Sequence, residues 1–105
     1  MKITNLSQLK KALQPGAEFK IIEHYVRPEC NGQIRVINKT QTNGFYSVVK
    51  NDPDSKYSKA NGGMGSWCKF GKAAEWLFTE KYGGIWTAAL AGTFEIQVLE
   101  KEETI

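Results

Sequence analysis

The stretch IRVINKTQTNGFYSVV, residues 34–49, places two runs rich in β-branched and aromatic residues on either side of an Asn-Gly pair. Residues 34–42 form the first run and residues 45–49 the second. Asn43-Gly44 is the strongest turn signal in the chain, because a type I′ turn needs two residues with positive φ and Asn-Gly adopts them at low cost. The stretch therefore predicts an antiparallel hairpin.

Further strand-like segments lie on both sides of this hairpin. Residues 18–26 carry apolar side chains on both faces, which is typical of a strand covered on two sides. Trp67–Phe70 reads as a short strand, and Phe94–Val98 alternates apolar with polar residues. Together these segments predict an antiparallel sheet of about four to five strands.

Helical patterns lie at the start of the chain and after residue 70. Leu6, Leu9 and Leu13 have helical spacing, Asn5 is a favourable N-cap, and Pro15 follows as a stop signal. Residues 71–81 are interpreted as a second helix, and a short helix is preferred for residues 85–91. The predicted order is α–β–β–β–(β)–α–β, a single α+β domain over residues 1–105 with both main helices on one sheet face.

Two segments are predicted to lie outside the regular elements. Residues 50–66 are polar and aperiodic, and they are interpreted as a long polar loop. Residues 101–105 form a short acidic tail. The glycine-rich part of the loop, residues 61–66, admits two hypotheses: a flexible connection, which is favoured, or a phosphate-binding turn with Lys72 beside it.

Composition and charge limit the classes of protein that the chain can represent. Hydrophobic residues make up 41% and charged residues 24% of 105, as in ordinary globular domains. The net charge is +3, and residues 1–94 carry 13 basic and 7 acidic side chains. No apolar run approaches the roughly 20 residues of a membrane span, and the first residues lack a secretory signal. We expect a cytoplasmic protein with two free cysteine thiols.

Catalytic chemistry has little support in the sequence. His24 is the single histidine, and a nucleophile pair would require it to approach Cys30 or Cys68. Three scattered ligands do not match a zinc site, and Asp52-Pro53-Asp54 is better explained as a turn than as a cation site. We therefore expect a protein that is not an enzyme and that has no cofactor and no metal.

Aromatic and basic residues alternate through the central part of the chain. Such residues can stack on bases and contact phosphates, and they are also enriched at protein interfaces. The candidate binding residues are Arg35, Lys39, Tyr46, Lys56, Tyr57, Lys59, Trp67, Lys69 and Lys72.

Three segments, GQIRV (32–36), QTNGFYS (41–47) and FGKAAEW (70–76), resemble short proteins encoded by phages and mobile elements of gut bacteria. The resemblance implies a compact accessory protein of the kind that counters host defence, including anti-CRISPR inhibitors of Cas9-type nucleases. Many such inhibitors are acidic mimics of DNA, and the basic body of this chain departs from that pattern. We would expect it to contact a guide–protein complex or an acidic patch in the host cytoplasm.

Two functions from different classes follow. The leading hypothesis is a non-enzymatic binding protein that occludes a surface of a protein or nucleoprotein partner, such as a Cas9-type nuclease. The alternative is a nucleic-acid-binding module. The predicted element order, with Lys69 and Lys72 at the second helix, resembles a double-stranded-RNA-binding domain whose basic cluster is reduced to those two lysines.

Overall fold

The computed structural model describes residues 3–81, 85–90 and 93–99. In chain order the elements are helix α1 (Leu6–Ala12), strands β1 (Glu18–His24), β2 (Ile34–Gln41) and β3 (Gly44–Val49), helix α2 (Lys56–Lys59), and strands β4 (Ser66–Lys69), β5 (Trp76–Lys81), β6 (Ile85–Leu90) and β7 (Phe94–Leu99). Three 3₁₀ turns lie at Pro28–Cys30, Ala60–Gly63 and Ala73–Glu75. The strands form one antiparallel sheet in the order β4-β3-β2-β1-β7-β6-β5. The predicted α+β class and antiparallel sheet are confirmed, but the sheet has seven strands instead of four to five.

Helix α1 matches its prediction closely. The Asn5 side chain accepts a hydrogen bond from the Gln8 backbone N–H, and the Gln8 side chain accepts one from the Thr4 backbone N–H. Leu9 and Leu13 are fully buried, so the leucine stripe faces the core. Neither helix in the described ranges has the length or apolar character that crossing a bilayer would require.

The β2–β3 hairpin forms as predicted, but its turn differs from the expected one. Gln41 pairs with Gly44, so Thr42 and Asn43 are the two turn residues, and neither has a positive φ. Gly44 lies within β3, where the ring of Trp67 covers it: a Cβ at this position would lie 2.6 Å from the Trp67 Cζ2 atom. Close approach of the neighbouring strand, instead of turn geometry, explains this glycine.

The sheet curls so that its two edge strands approach each other. In a flat seven-stranded sheet, β4 and β5 would lie about 29 Å apart at the usual strand spacing. Only residues 70–75 connect them, and the indole N–H of Trp76 on β5 donates to the carbonyl of Phe70, just after β4. The concave side of the curled sheet therefore contains the core, and α1 contributes two leucines to it.

The segment interpreted as a long polar loop contains regular structure. Helix α2 and the following 3₁₀ turn occupy residues 56–63. The Ser58 hydroxyl donates to the Asp52 carbonyl and accepts from the Val49 backbone N–H, which ties the helix to the end of β3. Polar side chains here satisfy backbone groups, so their presence did not indicate an unstructured loop.

The second predicted helix, at residues 71–81, and the short helix preferred for residues 85–91 are both wrong. Residues 76–81 and 85–90 form β5 and β6, which pair over six positions. Trp76 is buried, whereas the next residue, Leu77, is 64% exposed. This alternation is the period of a strand, and pairing in the sheet outweighs the helical propensity of the preceding Ala73-Ala74-Glu75. The second helix is instead α2, earlier in the chain, and the predicted acidic tail lies outside the described residues.

Candidate functional site

The nine predicted binding residues do not share one surface. Four lie on the outer, convex side of the sheet, and three others line a cavity on its inner side, which Trp67 of the outer group also borders. The outer group is Lys39, Tyr46, Trp67 and Lys69, which we call the aromatic–basic face. The inner group is Arg35, Lys56 and Tyr57. Lys59 and Lys72 belong to neither group: Lys59 lies 3.9 Å from Asp54, and Lys72 precedes the 3₁₀ turn at Ala73–Glu75.

The aromatic–basic face is assembled by cross-strand pairing. Lys39 pairs with Tyr46, and Tyr46 pairs with Trp67 on the neighbouring strand. The rings of Tyr46 and Trp67 lie 4.8 Å apart between centroids, and Trp67 remains 41% exposed. Lys69 follows two residues later on the same side of β4. The face thus presents one exposed ring, that of Trp67, on the half-buried ring of Tyr46, with the exposed residues Lys39 and Lys69 on either side.

Arg35 was expected beside Lys39 and Tyr46 but points to the opposite side of the sheet. The register of the hairpin shifts between Ile37 and Lys39, so one extra residue, Asn38, interrupts the alternation. Such a bulge reverses the side of every following residue. Without the bulge, Arg35 and Lys39 would share a side; with it, Arg35 lies inside and is 4% exposed.

The buried guanidinium of Arg35 contacts only neutral groups in the described part of the chain. Its Nε donates to the Gln33 side-chain oxygen at 2.9 Å. Its two other nitrogens lie at the long distances of 3.5 Å from the Ser47 hydroxyl and 3.6 Å from the Cys30 sulfur. The Tyr57 ring lies 5.0 Å from the guanidinium carbon. Burial lowers the pKa of Arg35, although an arginine stays charged at physiological pH.

Arg35 lines an open cavity of about 380 Å³ on the concave side of the sheet. Phe19, Ile21 and Phe94 form apolar parts of its wall, and the turn after β1 supplies His24, Arg27 and Cys30. No residue of α1 lines it. The cavity therefore occupies a part of the concave side that the helix leaves uncovered.

Tyr57 connects the segment around α2 to the turn after β1. Its hydroxyl donates to the Glu29 carboxylate at 2.6 Å. This hydrogen bond raises the pKa of Tyr57 to about 12 and lowers the pKa of Glu29. Besides Arg35, the cations of Arg27 and Lys56 lie 6.0 Å and 5.2 Å from the Tyr57 ring. The segment interpreted as a loop thereby forms one wall of the cavity.

His24 is held in one orientation at the edge of this cavity. Its Nδ1 accepts hydrogen bonds from the backbone N–H groups of Val26 and Arg27, and its ring stacks on Phe94 at 5.5 Å. Burial first, and then the charges of Arg27 and Arg35, lower its pKa below the ordinary value of 6.5. The neutral imidazole is therefore the favoured form at pH 7.

The stability of the protein should fall as the pH drops below 6.5, with His24 as one cause. In this range the unfolded chain takes up a proton on His24 that the folded protein resists, so protonation favours unfolding until the lower folded pKa is passed. We expect His24→Asn, which retains an acceptor near the Nδ1 position, to flatten the pH dependence of stability below pH 6.5. Urea unfolding of the variant and of the unchanged protein at several pH values measures this pH dependence. An NMR titration that gives His24 a pKa of 6.5 or more contradicts the role of His24.

The two cysteines considered as nucleophiles also line the cavity. Burial raises the pKa of the Cys68 thiol to about 12, so it is protonated at neutral pH. The Cys30 sulfur contacts Arg35, and no described hydrogen bond joins either thiol to His24. Within the described residues, no group of three histidine, cysteine or acidic side chains could hold a metal ion.

The glycine-rich segment at residues 61–66 has a steric explanation. Gly62, Gly63 and Gly65 all have positive φ, and Gly65 passes directly against the Ser47 carbonyl. The helix N-terminus expected beside Lys72 is a three-residue 3₁₀ turn, whose Glu75 carboxylate accepts from the Lys72 backbone N–H. The phosphate-binding turn considered for this segment therefore lacks its expected helix.

Sequence reasoning examined His24 and Cys30 as a nucleophile pair and did not assign Arg27 or Glu29 a role. All four residues come from the end of β1 and the 3₁₀ turn after it. The compact RPECNG motif at residues 27–32, directly after a strand, was the available signal. Comparison of the chain with family models, with curated proteins and with solved structures found no match.

Proposed function

We propose that the protein is a binding protein that acts by covering a surface of a macromolecular partner, a protein or a nucleoprotein, instead of by catalysis. The observation that carries this proposal is the aromatic–basic face, where the exposed Trp67 ring, packed against the half-buried Tyr46 ring, lies between Lys39 and Lys69. Exposed tryptophan and tyrosine are the residues that most often contribute large binding energies at protein interfaces.

The position of this face in the sheet supports an interaction with a large partner. Within the described residues β4 pairs only with β3, so its other edge has no neighbouring strand. A strand edge without a pairing strand, beside the exposed Trp67 ring, offers both backbone hydrogen bonds and apolar contact area. The excess of basic side chains over residues 1–94 favours a partner with an acidic surface.

A guide-loaded host defence nuclease of the Cas9 type is the specific partner that we propose, on the basis of the resemblance to phage and mobile-element proteins. The test measures binding of the purified protein to the nuclease with its guide RNA, and measures DNA cleavage in parallel. We expect a complex and a loss of cleavage. No complex, together with full cleavage activity, contradicts the choice of partner.

The Trp67→Ala variant tests the face itself. Truncating a central aromatic anchor should weaken partner binding by about 30-fold or more. Tyr25→Ala is the matched control, because Tyr25 is another exposed aromatic residue, at 57% exposure, and should change binding little. Thermal unfolding of both variants is measured first, since the Trp67 ring also covers Gly44. Equal losses of binding in the two variants would contradict the assignment of the face.

The alternative function, a nucleic-acid-binding module, uses the same residues. Bases can stack on the exposed Trp67 ring, and the two lysines can contact phosphates. Changing both Lys39 and Lys69 to Gln should reduce the slope of log K against log salt by about 1.4 for a single strand. Binding to RNA or DNA that does not respond to salt, or the absence of binding, excludes this alternative.

A further inference from the structure

We propose that the cavity around Arg35 is a binding site for a small organic anion, a ligand that carries a phosphate or carboxylate group on an apolar or aromatic body. The site lies on the inner side of the sheet, and this inference does not depend on the function of the aromatic–basic face. Arg35 is the anchoring residue, and Arg27 and Lys56 lie around it.

The first reason is the unbalanced charge of Arg35. Arg35 is buried, with 4% of the residue exposed, yet the described ion pairs, Lys50–Glu18 and Lys59–Asp54, do not include it. Buried charges in proteins are almost always paired or bound to a ligand. Two of its nitrogens have only distant contacts with a hydroxyl and a thiol. A planar guanidinium with free donors fits the two oxygens of a carboxylate or phosphate.

The second reason is the sign of the other charges in the cavity. Arg27 and Lys56 add two cations to Arg35, and His24 is neutral. The acidic group next to them, Glu29, is held by the Tyr57 hydroxyl at 2.6 Å. The cavity region is therefore cationic overall, which favours the binding of an anion.

The third reason is the size and chemistry of the wall. A volume of about 380 Å³ lies in the range of small-molecule sites. Phe19, Ile21 and Phe94 supply apolar contacts, while the Ser47 hydroxyl and the neutral His24 imidazole supply polar ones. A wall of this composition can contact an apolar or aromatic group of a ligand as well as its charged group. The proposed ligand class follows from this combination.

The experiment measures binding of two anionic probes and their neutral counterparts by calorimetry and thermal unfolding. Adenosine monophosphate and benzoate carry phosphate and carboxylate, and adenosine and benzamide are the uncharged controls. At a concentration 100 times its Kd, a bound probe should raise the Tm by about 10–20 °C. The anion with the lower Kd shows whether the site prefers a phosphate or a carboxylate group. No binding of either anion at millimolar concentration, or equal binding of the neutral controls, overturns the proposal.

The variant Arg35→Met tests the anchor. Removing the buried cation should weaken anion binding by about 30-fold or more, because the ligand charge loses its paired donor. Lys11→Met is the control, since this exposed lysine lies on α1, outside the cavity, and its replacement should leave affinity unchanged. If Arg35→Met does not fold, the Arg35 Nε–H resonance of the wild-type chain is followed by NMR instead. An anion that binds without moving that resonance contradicts the site.

Discussion

Replacing Phe45 by alanine is expected to lower the free energy of unfolding by about 3–5 kcal/mol. Phe45 is fully buried in β3, and its ring contacts Phe19 at 5.7 Å and Phe70 at 5.3 Å between centroids. These contacts join the middle of the sheet to the segment that follows β4. Domains of this kind have total stabilities of about 5–15 kcal/mol, so the variant should be largely or partly unfolded at 37 °C.

Urea unfolding of Phe45→Ala and of the unchanged protein measures this effect through the midpoint and slope of the transition. Leu77→Ala is the control, because Leu77 lies in a strand but is 64% exposed, and its truncation should change stability by about 0.5 kcal/mol or less. A loss of less than about 1 kcal/mol for Phe45→Ala, the value for an average substitution, would show that the core is not organised around this ring.

Replacing Gly65 by alanine is expected to destabilise the protein by about 3–4 kcal/mol through backbone strain and a steric clash. Gly65 has a φ of +107°, and a Cβ there would lie 2.5 Å from the Ser47 carbonyl carbon and 3.0 Å from Val48 Cγ1. Because Gly65 directly precedes β4, the added methyl group should push this strand away from β3. Partner binding through Trp67 should weaken together with stability.

Gly63 provides a closely matched control for this prediction. Its φ is +93°, but a Cβ at Gly63 would meet nothing within 4 Å. Gly63→Ala therefore carries the conformational strain without the clash, and should cost about 1–2 kcal/mol. Chemical unfolding of Gly65→Ala and Gly63→Ala gives the difference between their losses in free energy of unfolding. If the two losses agree within about 0.5 kcal/mol, the close approach of Gly65 to β3 is not what requires glycine there.

The two candidate surfaces can be separated experimentally because they lie on opposite sides of the same strands. Arg35 on β2 faces the cavity, whereas Lys39 on the same strand belongs to the aromatic–basic face. Trp67 also borders the cavity, so the separating variant is Tyr46→Ala, at a residue that does not line it. A Tyr46→Ala variant that loses its macromolecular partner but still binds a small anion would support both assignments. Of these two surfaces, the segment around α2 borders only the cavity, and the Tyr57–Glu29 hydrogen bond ties it to the turn after β1.

Local signals were sufficient for the elements whose structure depends on nearby residues. The N-cap of α1, strand β7 and the β2–β3 hairpin are encoded within a few residues, so the sequence predicted each of them, although the alternation expected in β7 breaks at Gln97, which is buried. Capping and alternation act over distances that a short window of sequence contains. The same reasoning placed Arg35, Lys39 and Tyr46 in one hairpin with the 50–66 segment and Trp67 beside it, and the structure pairs Lys39 with Tyr46 and Tyr46 with Trp67.

Residues 76–81 and 85–90 were predicted wrongly because their structure depends on distant partners. Alanine and glutamate at 73–75 favour a helix, but β5 and β6 are strands that gain their hydrogen bonds from each other and from β7. Strand propensity depends strongly on such neighbours. Trp76, Leu77 and Phe78 are all apolar, so the alternation of buried and exposed positions in β5 is not visible in the sequence.

By itself, the amino-acid sequence determined the α+β class, the antiparallel hairpin and the aromatic–basic composition of the central strands. Tertiary structure decided the side of the sheet on which each of these residues lies. The bulge at Asn38 moved Arg35 away from Lys39, and the curl of the sheet enclosed Arg35 in a cavity. Side-chain direction in a strand reverses with every residue, so one inserted position, set by pairing between distant segments, separates an exposed cation from a buried one.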